Sequence, residues 1–192
     1  MTDSALDLNL DQRSGWPEEL RVLLKTYPRD TWRASSSPIA QFWLDKHDYF
    51  RHQCIALQSA TTDFREQRST PTVFGTWLAP HLQGFVSQLH GHHQIEDHHY
   101  FPTFRAAEKR LTRGFDVLAQ DHELLHQGIV NIIESVNEFL LTIHDGQVRD
   151  LDTQRLAGDR FSDTSEIVYR RLLRHLDDEE DLIIPLMLDS ES

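Results

Sequence analysis

Two stretches of this sequence carry the residue types that hold metal ions: HHQIEDHHYFP, beginning at His92, and HLDDEEDLIIP, beginning at His175. Each has a histidine, a glutamate four residues on, an acid at the fifth place, two bulky apolar or aromatic residues, and proline at the tenth. On a helix, residues four apart stack on one face, so His92 with Glu96 and His175 with Glu179 each offer an imidazole nitrogen and a carboxylate oxygen to one point. His122 and His126 offer two nitrogens by the same spacing. A nitrogen and oxygen donor set without thiolate suits iron or manganese better than copper(I), and the repeated pattern suggests two related halves of the chain.

These residues need long elements to hold them. Four segments keep helical spacing, roughly 38–66, 73–104, 108–144 and 153–186. The apolar stripe of the first is marked by Phe42, Leu44, Tyr49, Ile55 and Leu57, and His47 sits in its middle. In the second, Leu78, Leu82, Phe85 and Leu89 lead into His92, Glu96 and Tyr100; in the third, Phe115, Leu118, His122, Leu125, Ile129, Ile132, Ile133 and Val136 keep the phase. Val168, Leu172, His175, Glu179, Ile183 and Leu186 do so in the fourth. Polar groups thus occupy inward positions on all four helices. Burying them without a cation would be costly, because isolated charges are strongly disfavoured in a low-dielectric core.

The intervening breaks, at Arg68–Pro71, around Pro102 and Gly114, and across His144–Asp150, are short enough to join antiparallel neighbours. The expected fold is all-α, an antiparallel up-down four-helix bundle over residues 38–188. Residues 1–37 are expected to form a loose tail to about residue 15, then a short helical arm that starts with Pro17 in its first turn and is laid against the bundle.

The motifs resemble those of the hemerythrin-like, or HHE cation-binding, family: a lone histidine, H-x-x-x-E, H-x-x-x-H and a second H-x-x-x-E, in that order, over roughly residues 38–188. The resemblance implies terminal ligands His47, His92, His122, His126 and His175, with Glu96 and Glu179 bridging two irons that an oxo or hydroxo group also bridges; zinc is the alternative metal. His93 could replace or join His92, and Glu180, five residues after His175, competes with Glu179 for the last bridge. Five imidazoles and two bridging carboxylates would fill about nine of roughly twelve positions on two six-coordinate metals, an oxo bridge about two more, leaving about one open. The function so implied is binding or sensing oxygen or nitric oxide, more than converting a substrate; a di-iron enzyme or iron donor in peroxide or nitric oxide stress or iron-sulfur repair is the alternative. With no output domain of its own, a sensor would need a separate protein partner.

The remaining polar groups have plainer readings. His52, His81, His90, His98, His99 and His144 read as surface or supporting groups, the acid run Asp177–Asp181 as a mostly solvated face except Glu179, and Asp121 as surface or as orienting a ligand. Cys54 reads as a small packing residue and Tyr49, Tyr100 and Tyr169 as core aromatics. Across 192 residues the formal charge is −12, with 19 basic against 31 acidic groups, which repels phosphate backbones and argues against nucleic acid as a partner. The single cysteine excludes an internal disulfide, and the acidic polar N-terminus lacks the basic and apolar regions of a signal peptide, so the expected location is the cytoplasm. No apolar run reaches the roughly 18 residues of a membrane span; the best, Leu182–Leu188, is broken by Pro185.

Overall fold

The computed structural model describes residues 8–144 and 150–191, and no β-strand occurs among them. A 3₁₀ turn at Glu18–Leu20 and a single helical turn, α1 (Arg29–Trp32), precede four long helical stretches: α2 (Pro38–Arg65); α3 (Pro71–Ile95), which runs through a π turn at Glu96–Tyr100 into α4 (Phe101–Ala107); α5 (Thr112–His144); and α6 (Leu151–Ser190). These match the four expected segments. The expected 145–149 link and the first seven residues of the expected tail lie outside the described residues, as does the side chain of His144.

The helix starts are written locally. The Ser37 hydroxyl accepts the Ala40 N–H at 3.2 Å, and the Thr70 hydroxyl accepts that of Val73 at 3.3 Å, each followed by a proline whose fixed φ and missing donor suit the first helical position. Asp150 does the same for α6, its carboxylate accepting the Thr153 N–H at 2.7 Å. Pro80 and Pro185 lie inside α3 and α6 without ending either helix.

The chain divides into two compact units. The first comprises Met1–Tyr49, His93–Glu123 and Arg171–Ser192. Its core joins Trp16, Leu20, Leu23 and Trp32 of the arm to Trp43 and Leu44 of α2, Phe101 of α4, Phe115 and Leu118 of α5, and Leu182–Met187 of α6. Burying each large apolar side chain contributes about 1.5–3 kcal/mol, so the arm is held by packing as well as by charge. The order extends further than the expected tail allows: Leu10 and Arg13 are buried. The arm also overturns the solvated reading of the acid run. Every residue from Asp178 to Met187 is buried, because Arg13 and Trp16 engage Asp178 and Arg29 engages Asp181 on the face that would otherwise meet water.

The second unit comprises Phe50–His92 and Leu124–Arg170. Its centre is aromatic: Phe64 stacks on Phe74 at 4.7 Å between ring centroids, and both meet Phe139 at 5.4 Å. The stripe of α2 is rotated from the expected one, with Trp43, Leu44, His47, Phe50, Cys54 and Leu57 inward, while Phe42 and Ile55 are about 60% exposed. Inward spacings of three and four residues follow the helical repeat; Phe42 and Ile55 are bulky apolar groups one position off it.

Candidate metal centre

Donor atoms converge in two groups, each within 4.8 Å: His93, His122 and His175 in one, and His47, Glu96 and Glu179 with His92, the residue preceding His93 in α3, in the other. The two glutamates reach toward both. Glu179 has Oε1 at 3.6 Å from His47 Nε2 and Oε2 at 3.1 Å from His175 Nε2, and Glu96 Oε2 lies 3.5 Å from His122 Nε2. The Nε2 atoms of His122 and His175 are 3.1 Å apart, and the His93 ring stacks on His122 at 4.0 Å. His92 and His93 thus fall in different groups.

Three imidazoles share one supporting arrangement. Glu180 lies 3.0 Å from His47 Nδ1, Asp97 lies 2.9 Å from His122 Nδ1, and Asp121 lies 3.3 Å from His175 Nδ1. An Nδ1–H donating to a carboxylate fixes the tautomer that leaves Nε2 with its lone pair aimed into the cluster. Each supporting acid sits next in sequence to a donor and serves a histidine on another helix: Asp97 follows Glu96, Glu180 follows Glu179, Asp121 precedes His122. The two acids left open by the sequence are placed differently. Glu179 is in the donor group and Glu180 behind His47, while Asp121 is buried and supports His175, not its neighbour.

The electrostatics suit a cation. Burial and then the charge of Glu179 push the Glu96 carboxyl well above its ordinary range, since two carboxylates in a dry core cannot both ionise cheaply. Burial lowers His122, opposed by Asp97. His175 is raised to about 9, because Asp121 and Glu179 outweigh burial. Trp43 Nε1 donates to Glu179 Oε1 at 3.0 Å and fixes that carboxylate from the α2 side. Five imidazoles and two carboxylates make a set that fits one or two divalent metals of borderline hardness.

A family model for the hemerythrin HHE cation binding domain matches residues 39–187. The chain belongs to this family. The hemerythrin domain thus spans α2 to α6, and the arm precedes it. Part of the chain is also similar to the SRR1-like protein of Drosophila melanogaster, at 35% identity over 92 residues, 43% of this chain and 33% of that protein. The chain thus spans about a third of that relative's length. No solved structure matches it significantly.

Of the ligands expected in this hemerythrin domain, His47, His92, Glu96, His122, His175 and Glu179 are brought together, and His126 is not. His126 is exposed, its ring 5.9 Å from that of exposed His90. The buried stripe of α5 runs through Leu118, His122, Leu125, Ile129 and Ile132, which puts His122 at its edge. A residue four further on turns about 40° beyond that edge, away from the core. His93 lies in the cluster instead. The π turn was also not readable: it adds a residue, so Glu96 is followed inward by Phe101, five on, where the spacing had suggested Tyr100. Phe101 stacks on His122 at 5.4 Å, and Asp97 within the turn reaches the same ring. His52, His81, His90, His98 and His99 are exposed, as expected.

Proposed function

We propose that this hemerythrin domain is a non-haem di-iron protein that binds or senses a small diatomic gas, oxygen or nitric oxide, in an antiparallel up-down bundle formed by the four long helices. The observation that carries this reading is the asymmetric donor set: three imidazoles in one group, two in the other, and two glutamates facing both. The count is the one the resemblance implies, with His93 in place of His126, and a pair of irons held by it would have room for an exogenous ligand on the side of His47 and His92. Two ferrous ions held there would supply the electrons that let a diatomic gas bind. The chain's own part is to orient and to exclude water. Asp97, Asp121 and Glu180 aim the imidazoles, Trp43 holds Glu179, and fully buried Leu172, Leu176 and Ile183 on α6 supply an apolar surround. A set poor in anionic ligands stabilises high-valent iron weakly, which favours reversible binding over oxidation of a substrate.

The test is anaerobic loading with ferrous ion followed by elemental analysis and titration with nitric oxide or oxygen, read by visible absorption. The expected result is two irons and one gas molecule per chain, with at least one iron lost in His122→Ala and Glu179→Gln. One zinc per chain and no iron uptake would sink the reading, and iron stripped by a chelator within minutes would favour the iron-donor alternative.

A further inference from the structure

Among the described residues, the N-terminal arm reaches the acid behind His175 through Arg13. The Arg13 side chain is almost wholly buried, lies over the Trp16 ring at 5.0 Å, and spends its donors on three partners. Nη1 donates to Asp121 Oδ1 at 3.0 Å and to the Leu8 carbonyl at 2.8 Å, Nη2 donates to Asp121 Oδ2, and Nε donates to Asp178 Oδ2 at 2.7 Å. Asp121 Oδ2 is also the oxygen that faces His175 Nδ1. The arm is pinned again where Trp16 Nε1 donates to the Asp178 carbonyl at 2.6 Å.

The two carboxylates depend on Arg13 unequally. Asp178 has a second guanidinium, Arg174 Nε at 2.8 Å, whereas among the described residues Asp121 has only Arg13 and His175 as ionic partners. The planar fork of Arg13 engages both Asp121 oxygens at once, which fixes the carboxylate plane as well as its place. Removing the fork leaves Asp121 in a buried site beside another acid, with rotation about its side chain as its relief. That rotation would take away the hydrogen bond that aims His175.

We propose that Arg13 is a positioning residue for the metal centre: the N-terminal arm clamps Asp121 through it, and so sets the direction of His175 and the retention of the metal held by His93, His122 and His175. This rests on the metal reading above. It makes the arm a functional part of the domain although it lies outside the matched residues 39–187.

The full chain is loaded with cobalt(II), whose visible bands report coordination geometry, and release into excess chelator is followed by stopped flow for the unmodified protein and for R13Q, R13K, R29Q and D121N. Release in two phases is expected, one of them about tenfold faster in R13Q and in D121N, the range seen when a group supporting a ligand histidine is lost. R13K should resemble R13Q, because a single ammonium cannot span both Asp121 oxygens, and it decides the question should R13Q not fold. R29Q, which loosens the arm at Asp181, should release cobalt as the unmodified protein does. Unchanged release in R13Q and R13K beside faster release in D121N would overturn the role of Arg13 and leave the metal reading standing. Equal acceleration in R29Q would also overturn it, as a general effect of a loosened arm. An unmodified chain that takes up no cobalt would overturn the metal reading itself, and this proposal with it.

Discussion

At the scale of residues, the division between ligand and support is decided by which nitrogen faces which acid. His47, His122 and His175 all turn Nδ1 to a carboxylate and Nε2 to the cluster, and neighbouring acids take opposite roles because adjacent helical residues point about 100° apart. His93 and His126 give a sharp contrast. His93→Ala should lower metal content by elemental analysis, whereas His126→Ala, on the exposed face, should leave it unchanged; loss of metal in His126→Ala alone would reverse the two roles. Cys54 belongs to a different part of the residue scale. It is buried in the second unit, and burial raises its thiol to about 12. Thiolate is the reactive form, so at pH 8 the native protein should react with a disulfide reagent only as fast as it unfolds, and denaturant should release one reactive thiol. Rapid stoichiometric labelling of the native chain would contradict this.

At the scale of elements, two glycines of the second unit show where helices come close and where they do not. A Cβ on Gly158 of α6 would lie 2.1 Å from Phe64 Cε1, and Phe64 is held by its stacking on Phe74 and its contact with Phe139. Gly158→Ala should therefore lose about 1–3 kcal/mol to overpacking, less the helical gain of alanine. A Cβ on Gly84, on the exposed side of α3, meets nothing within 4 Å, and Gly84→Ala should gain about 0.5–1 kcal/mol. Urea midpoints of the two variants should move in opposite directions; a shared direction would mean that the close approach of Phe64 to α6 is not maintained in solution. The π turn is the other element-scale feature. It lets a donor, a supporting acid and a packing aromatic, Glu96, Asp97 and Phe101, serve the same site from consecutive turns. Nothing in the hydrophobic spacing announces it, since one extra residue in a turn changes phase without changing composition.

At the scale of the whole molecule, the first unit buries an unusual load of charge for its size: Glu96, Asp121, Asp178, Glu179, Glu180 and Asp181 are all buried. Arg13 and Arg29 offset part of this from the arm, and a bound cation would offset the pair at Glu96 and Glu179. Metal should accordingly stabilise the fold. At a free concentration a hundredfold above Kd, one site contributes about 2.7 kcal/mol, a Tm rise of roughly 5–10 °C for a chain of this length. Calorimetry with and without a chelator measures it, and an unchanged Tm would mean that the buried acids are balanced without metal.

The sequence by itself determined the helices, their caps and most of the donors, because those depend on residues three to five apart: Ser37-Pro38, Thr70-Pro71 and Asp150 start helices, and His92/Glu96 and His175/Glu179 share faces by spacing alone. Tertiary structure decided the rest. Whether an acid is solvated or buried depends on what covers it, and the cover for Asp178 and Asp181 is an arm about 150 residues away in the chain. That His93 is buried and His126 exposed depends on which side of each helix the packing covers, and the pairing of Asp121 with His175 joins two helices that no local pattern relates.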